Sequence, residues 1–199
     1  MENPNLTNIK VWDPLVRIFH WSLAFFFFLA YIVEDDLIGV HTYAGYTVAL
    51  LVSFRLIWGF IGTPYARFSD FVTSFKAVKT YLSQLFVGKT KHYIGHNPAG
   101  GLMIIALLTS LIITTFTGMF LFATEGHGPF GGTFLSQLSE GPLEDIHEFF
   151  ANFTVFMVVI HLSGVIVSSL LYKENLVKSM VTGKKLINVK TEENADENI

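Results

Sequence analysis

The chain has 199 residues, 51% of them hydrophobic and only 15% charged, with 20 phenylalanines, no cysteine and a net charge of −3. Soluble chains average about 25% charged residues, so this deficit excludes a disordered chain, a nucleic-acid binder and an ordinary cytosolic enzyme. Without cysteine there can be no disulfide framework, iron–sulfur cluster, zinc–thiolate site or thioether-attached haem.

A mean hydropathy of +0.49 directs attention to a bilayer, where one span needs about 20 mostly apolar residues. The first such stretch, residues 15–33, is interrupted only by Arg17 and His20. A short acidic link, Glu34 to Asp36, leads into the second, residues 37–61, which contains His41 and Arg55. Next, Phe68, Phe71, Val72, Phe75, Val78, Leu82, Leu85 and Phe86 recur at helical spacing while Lys76 and Lys79 lie off the stripe. That pattern predicts an amphipathic helix on the membrane surface or packed under the bundle. The third span, residues 99–123, has no ionisable side chain, and residues 124–142 are rich in Gly, Ser and Pro, as an irregular loop would be. The fourth span, residues 146–172, carries His147, Glu148 and His161. Single open strands would leave backbone groups unpaired in lipid, so the chain reads as an all-α integral membrane protein, a bundle of four transmembrane helices. Residues 1–190 form one domain, and the polar, acidic segment 191–199 is expected to be disordered.

Orientation follows from the basic residues. Both loops expected on one side of the bundle, residues 34–36 and 124–145, have carboxylates and no Lys or Arg. All 13 basic residues fall on the other side, with both termini. Both termini are therefore expected in the cytoplasm, with the amphipathic helix on that side and the acidic loops outside. No small-residue cleavage site follows the first span, which reads as a retained helix and not a signal peptide.

The histidines are what a membrane alone does not explain, because ionisable groups inside spans are costly and point to function. His20 falls near the cytoplasmic end of the first helix and His41 near the outer end of the second. On the fourth helix His161 follows His147 by 14 residues, about 21 Å along the axis and within about 40° of the same face. His41 and His147 thus share an outer layer, and His20 and His161 an inner one. Facing imidazoles without covalent attachment are what a six-coordinate b-type haem requires, so the layout predicts two haem b groups stacked across the bilayer. Arg17, one turn before His20, and Arg55, 14 residues after His41, are candidate partners for haem propionates. Gly45 and Gly164 could leave room for a porphyrin plane or serve close helix contact. His92, His96 and His127 lie in loops and read as solvated side chains. Four unrelated structural histidines would have no reason to fall into two depth-matched layers.

A family resemblance runs through the same residues. V-W-D-P-L-V-R-I-F-H-W (11–21), H-T-Y-A-G (41–45), R-L-I-W-G-F-I-G (55–62), A-R-F-S-D-F (66–71), G-H-N-P-A-G-G (95–101) and H-E-F-F-A-N-F…H-L-S-G (147–164) resemble the bacterial cytochrome b561 and nickel–iron-hydrogenase b-type cytochrome family. The likeness covers residues 11–185, and its double-histidine fourth helix is its most specific part. It implies a four-helix bundle holding two b haems through residues matching His20, His41, His147 and His161. It also implies electron transfer across the bacterial inner membrane between a periplasmic redox partner and membrane quinone, as part of a respiratory chain. Three branches of the family differ in partner: a hydrogenase, a multihaem c-type cytochrome, or superoxide itself. The acidic outer loops would repel superoxide and steer a basic cytochrome c, which favours the c-type cytochrome and an electron-transfer subunit over a self-contained superoxide:quinone oxidoreductase. A non-redox transporter is disfavoured by a third span with no ionisable residue and by the lack of any broken-helix signature.

Overall fold

The computed structural model describes residues 6–34 and 36–188; the 191–199 segment expected to be disordered lies outside them. Among the described residues, four helices are long and apolar enough to cross a membrane: α1 (Pro14–Val33), α2 (Ile38–Ile61), α5 (Pro98–Thr124) and α6 (Glu140–Tyr172). Between α2 and α5 lie α3 (Phe68–Phe71) and α4 (Phe75–Phe86), and α7 (Leu176–Thr182) follows α6. Strands β1 (Leu6–Lys10) and β2 (Lys184–Asn188) pair antiparallel, Leu6 opposite Asn188 and Lys10 opposite Lys184.

Helix boundaries follow local chemistry. Asp13 caps α1 by accepting from the Val16 N–H at 3.0 Å, with Pro14 at the first helical position, where its missing N–H costs nothing. Asn97 and Pro98 repeat this device at α5, the Asn97 side chain accepting from the Gly100 N–H at 2.7 Å. Helix α6 begins at Glu140 with Pro142 in its first turn, so it starts inside the stretch expected to be loop, which also holds a 3₁₀ turn, Phe134–Gln137. Its 33 residues span about 50 Å against a hydrocarbon core of about 30 Å. Helix α7 ends on Gly183 at φ 80°, a left-handed position suited to glycine. The Gly183 carbonyl then accepts from the Val11 and Trp12 N–H groups, tying the segment before α1 to the turn after α7.

The single amphipathic helix expected after α2 is two. Val72 takes an extended conformation, and the Ser74 hydroxyl caps a new helix by accepting from the Ala77 N–H at 3.3 Å. Phe71, Val78 and Tyr81 are buried, whereas Phe75, on the expected stripe, is exposed. Helix α4 packs against α5. The two-stranded ribbon was not expected from sequence, because it joins segments more than 170 residues apart.

The apolar core is formed by three of the four spans: Phe19 and Phe27 of α1, Val48 and Val52 of α2, Leu108 and Leu111 of α5. Helix α6 stands apart. It lies closely along α5, with no comparable backbone contact to α1 or α2. Across the α5–α6 seam the buried Ser110 and Thr154 hydroxyls are 2.7 Å apart.

At the start of α5, a Cβ on Gly101 would collide with the Phe71 backbone oxygen. Backbone cannot swing aside as a side chain can. A Gly101→Ala substitution is therefore expected to cost about 1–3 kcal/mol, read as a lower thermal unfolding midpoint in detergent; an unchanged midpoint would mean that α3 does not seat on α5.

Candidate functional site

The four span histidines meet in two pairs. His41, in the first turn of α2, faces His147 of α6 with ring centroids 6.0 Å apart. His20 of α1 faces His161 of α6 at 6.5 Å. Along α6 the pairs are separated by 14 residues, about 21 Å. One pair lies toward the end of the bundle that carries the β1–β2 ribbon, here the proximal end, and the other toward the distal end.

The distal pair is held by hydrogen bonds. His41 Nδ1 donates to the Ala30 carbonyl of α1 at 3.0 Å, and His147 Nδ1 donates to the Thr114 carbonyl of α5 at 2.9 Å. A carbonyl oxygen only accepts, so each Nδ1 carries a proton, and in the neutral ring Nε2 is the nitrogen left with a lone pair for a ligand. The Thr117 hydroxyl lies 3.4 Å from His147 Nδ1 and donates to the same Thr114 carbonyl at 3.0 Å. In the proximal pair the His20 Nδ1 is buried without a partner.

This donor set fits a haem iron in two respects. Two metal–imidazole bonds of about 2.0 Å laid end to end, with about 1.1 Å from each ring centre to its nitrogen, put ring centres roughly 6 Å apart. Both pairs match. Second, a macrocycle needs space between α6 and its neighbours, and Gly45 and Gly164 each have nothing within 4 Å of where a Cβ would stand. Close helix contact therefore does not explain either glycine. Among the described residues no group of three or more His, Asp or Glu side chains converges as a polynuclear metal site would need.

Arg55, nominated as a propionate partner, is buried on α2. Its Nη2 donates to the Ala66 carbonyl at 2.9 Å, its guanidinium lies 5.0 Å from the Phe68 ring centre, and its buried Nη1 has no partner. Arg17 donates through Nη1 to the Val181 carbonyl of α7, while its Nε is buried without a partner. Each guanidinium thus keeps an N–H to offer a carboxylate.

His96 corrects the sequence reading. It is not a solvated loop side chain but sits between Trp12, at 4.6 Å, and Phe71, at 4.9 Å, with Nδ1 shut off from solvent. Burial, reinforced by the nearby Arg55, Lys185 and His161, pushes its pKa down to about 3, so the ring is neutral at physiological pH. His92 also departs from that reading: its Nε2 lies 2.7 Å from Glu174, whose other oxygen meets Lys185 at 3.2 Å. His127 is exposed, beside Glu125 at 3.7 Å.

Sequence reasoning found the four histidines and missed what orients them. Ala30 and Thr114 act through backbone oxygens, which no side-chain pattern reveals. The one legible signal was polar spacing on the third span: Ser110, Thr114 and Thr117 lie on one face and are all buried.

A family model described as prokaryotic cytochrome b561 matches residues 11–183. Among curated proteins, the chain is 23% identical over 214 aligned positions to a protein of Rhizobium leguminosarum bv. viciae named probable Ni/Fe-hydrogenase B-type cytochrome subunit, with 90% of this chain and 89% of that one covered. No solved structure matches.

Proposed function

The chain belongs to the prokaryotic cytochrome b561 family, and from that premise we propose that this membrane-spanning b-type cytochrome holds two haem b groups. They lie one above the other, and the chain carries electrons between a periplasmic redox partner and membrane quinone. The observation that carries this reading is the double pairing, His41 with His147 and His20 with His161, at ring separations of 6.0 and 6.5 Å. His41 and His147 would hold the periplasmic-side haem, His20 and His161 the cytoplasmic-side haem, and Arg17 and Arg55 would meet propionates. Haem bound in these layers supplies a one-electron iron couple at each depth.

The protein's own part is placement. Ala30 and Thr114 fix the imidazole planes of the distal pair, and α6 carries one ligand for each layer on a single rigid rod. Basic residues gathered at the proximal end support, by the positive-inside rule, a cytoplasmic proximal end in a bacterial inner membrane. A groove of about 390 Å³ lined by Arg17, Trp21, Ser22 and Val181 opens at that end, a size suited to a quinone head group.

At the other end Glu34, Asp36, Glu125, Glu144, Asp145 and Glu148 are exposed and no Lys or Arg accompanies them among the described residues. That acidic surface favours a basic periplasmic c-type cytochrome as the partner, by charge complementarity, and disfavours the superoxide anion as a substrate. The name of the Rhizobium relative supports a hydrogenase as the second reading.

The test is stoichiometric. Pyridine extraction of purified protein is expected to give about two haem b per chain, with a dithionite-reduced spectrum of b type. One haem per chain would overturn the layered model, and none would overturn the cytochrome reading altogether. Partner choice is decided by mixing the membrane-embedded protein with reduced cytochrome c or with hydrogenase and hydrogen, and recording which reduces it.

A further inference from the structure

The two histidine pairs are alike in separation but unlike in their surroundings. Both distal imidazoles donate Nδ1–H to backbone carbonyls of neighbouring helices, Ala30 on α1 and Thr114 on α5. In the proximal pair, His20 Nδ1 is buried with no acceptor. A hydrogen bond from the far nitrogen makes an imidazole a stronger donor to its metal, and a stronger donor stabilises the more positive, oxidised iron. Charge at the distal end acts in the same sense: among the described residues it exposes carboxylates and no Lys or Arg, and negative charge favours the oxidised, more positive iron.

We propose that the Ala30 and Thr114 carbonyls, with Gly118 giving His147 room to reach α5, hold the distal haem site at a lower midpoint potential than the proximal site. This rests on the two-haem reading above. Gly118 is the positioning residue that can be altered. A Cβ there would stand 2.8 Å from His147 Cε1 and 3.0 Å from Nδ1, so the ring must tilt off α5 and its bond to Thr114 must lengthen. The difference in potential biases reducing equivalents toward the proximal end, where the quinone groove lies.

Equilibrium redox titration of the haem-loaded protein, followed in the reduced α-band, reads this directly. Two one-electron waves are expected. His41→Ala or His147→Ala, either of which empties the distal layer, should leave the higher wave, and His20→Ala or His161→Ala the lower one. Gly118→Ala should move the lower wave upward, leave the higher wave in place and retain two haems per chain. Its low-spin ferric EPR signal from the distal site should shift as the ring reorients. A lower wave surviving loss of the distal pair overturns the proposal, as does a Gly118→Ala chain with both waves and both haems unmoved. If single-histidine variants prove too unstable to titrate, the wild-type and Gly118→Ala titrations still decide it, since coincident wild-type waves also overturn it. A haem count below two per chain would instead refute the functional reading and not this ordering.

Discussion

A His147→Ala chain is expected to hold about half the haem of the unaltered protein, and the haem it keeps should be the proximal one. His147 meets His41 and no other span histidine, while His161, the second ligand residue of the same helix, lies about 21 Å away along α6. Sites so far apart with no shared partner behave additively. His41→Ala should therefore reproduce the loss, and the His41/His147 double variant should lose no more than either single one, because both residues serve one haem. Combining His147→Ala with His20→Ala should remove both haems, because those residues serve different layers. The measurement is haem per chain by pyridine extraction, with the fold checked by helical circular dichroism. Equal loss from both layers on a single substitution would mean that α6 does not present two independent sites.

Much of this site could be read before the fold was known, and the reason is the bilayer. Lipid forces a spanning segment to be helical, so the 14-residue interval between His147 and His161 becomes a distance and a direction without any tertiary information. The pairing with His20 and His41 then follows from chain polarity alone. What sequence does not convey is contact through backbone. The Ala30 carbonyl that orients His41 belongs to a residue with no polar side chain, and the break at Val72 turns on backbone torsions that most residues adopt. His96 was misread for a related reason. It follows a basic, polar stretch, and its burial depends on Trp12 and Phe71 arriving from two other segments. The strand pair shows the same limit, since Leu6–Lys10 and Lys184–Asn188 are too short and too far apart for either to announce the other.

Asp13 is where these long-range contacts converge, and its loss should have the largest effect on stability of any proximal substitution outside the histidines. Its carboxylate takes three donors: the Val16 N–H at 3.0 Å, the Thr63 hydroxyl at 2.6 Å and the Trp58 indole at 3.2 Å. Capping α1 is worth about 1 kcal/mol, and each charge-assisted bond to α2 and its following turn adds about 1.5 kcal/mol or more. Asp13→Ala is therefore expected to cost about 4 kcal/mol and to loosen α1 against α2, the two helices that carry His20 and Arg55. Asp13→Asn keeps one acceptor for Val16 but sets an amide N–H₂ against the Trp58 N–H, so it should recover only part of the loss. The pH dependence has a definite sign. Burial alone would raise this carboxyl, but the bonds from Thr63, Val16 and Trp58 outweigh it and hold the folded pKa below the ordinary 3.8. A depressed folded pKa gives stability that is complete above about pH 4 and lost as pH falls through the folded value. Thermal unfolding in detergent between pH 3 and 7 should thus show an acid-side decline for the unaltered chain that is shallower in Asp13→Asn. Parallel curves for the two proteins would show that the carboxylate is not ionised in the fold and that the cap holds α1 by shape alone.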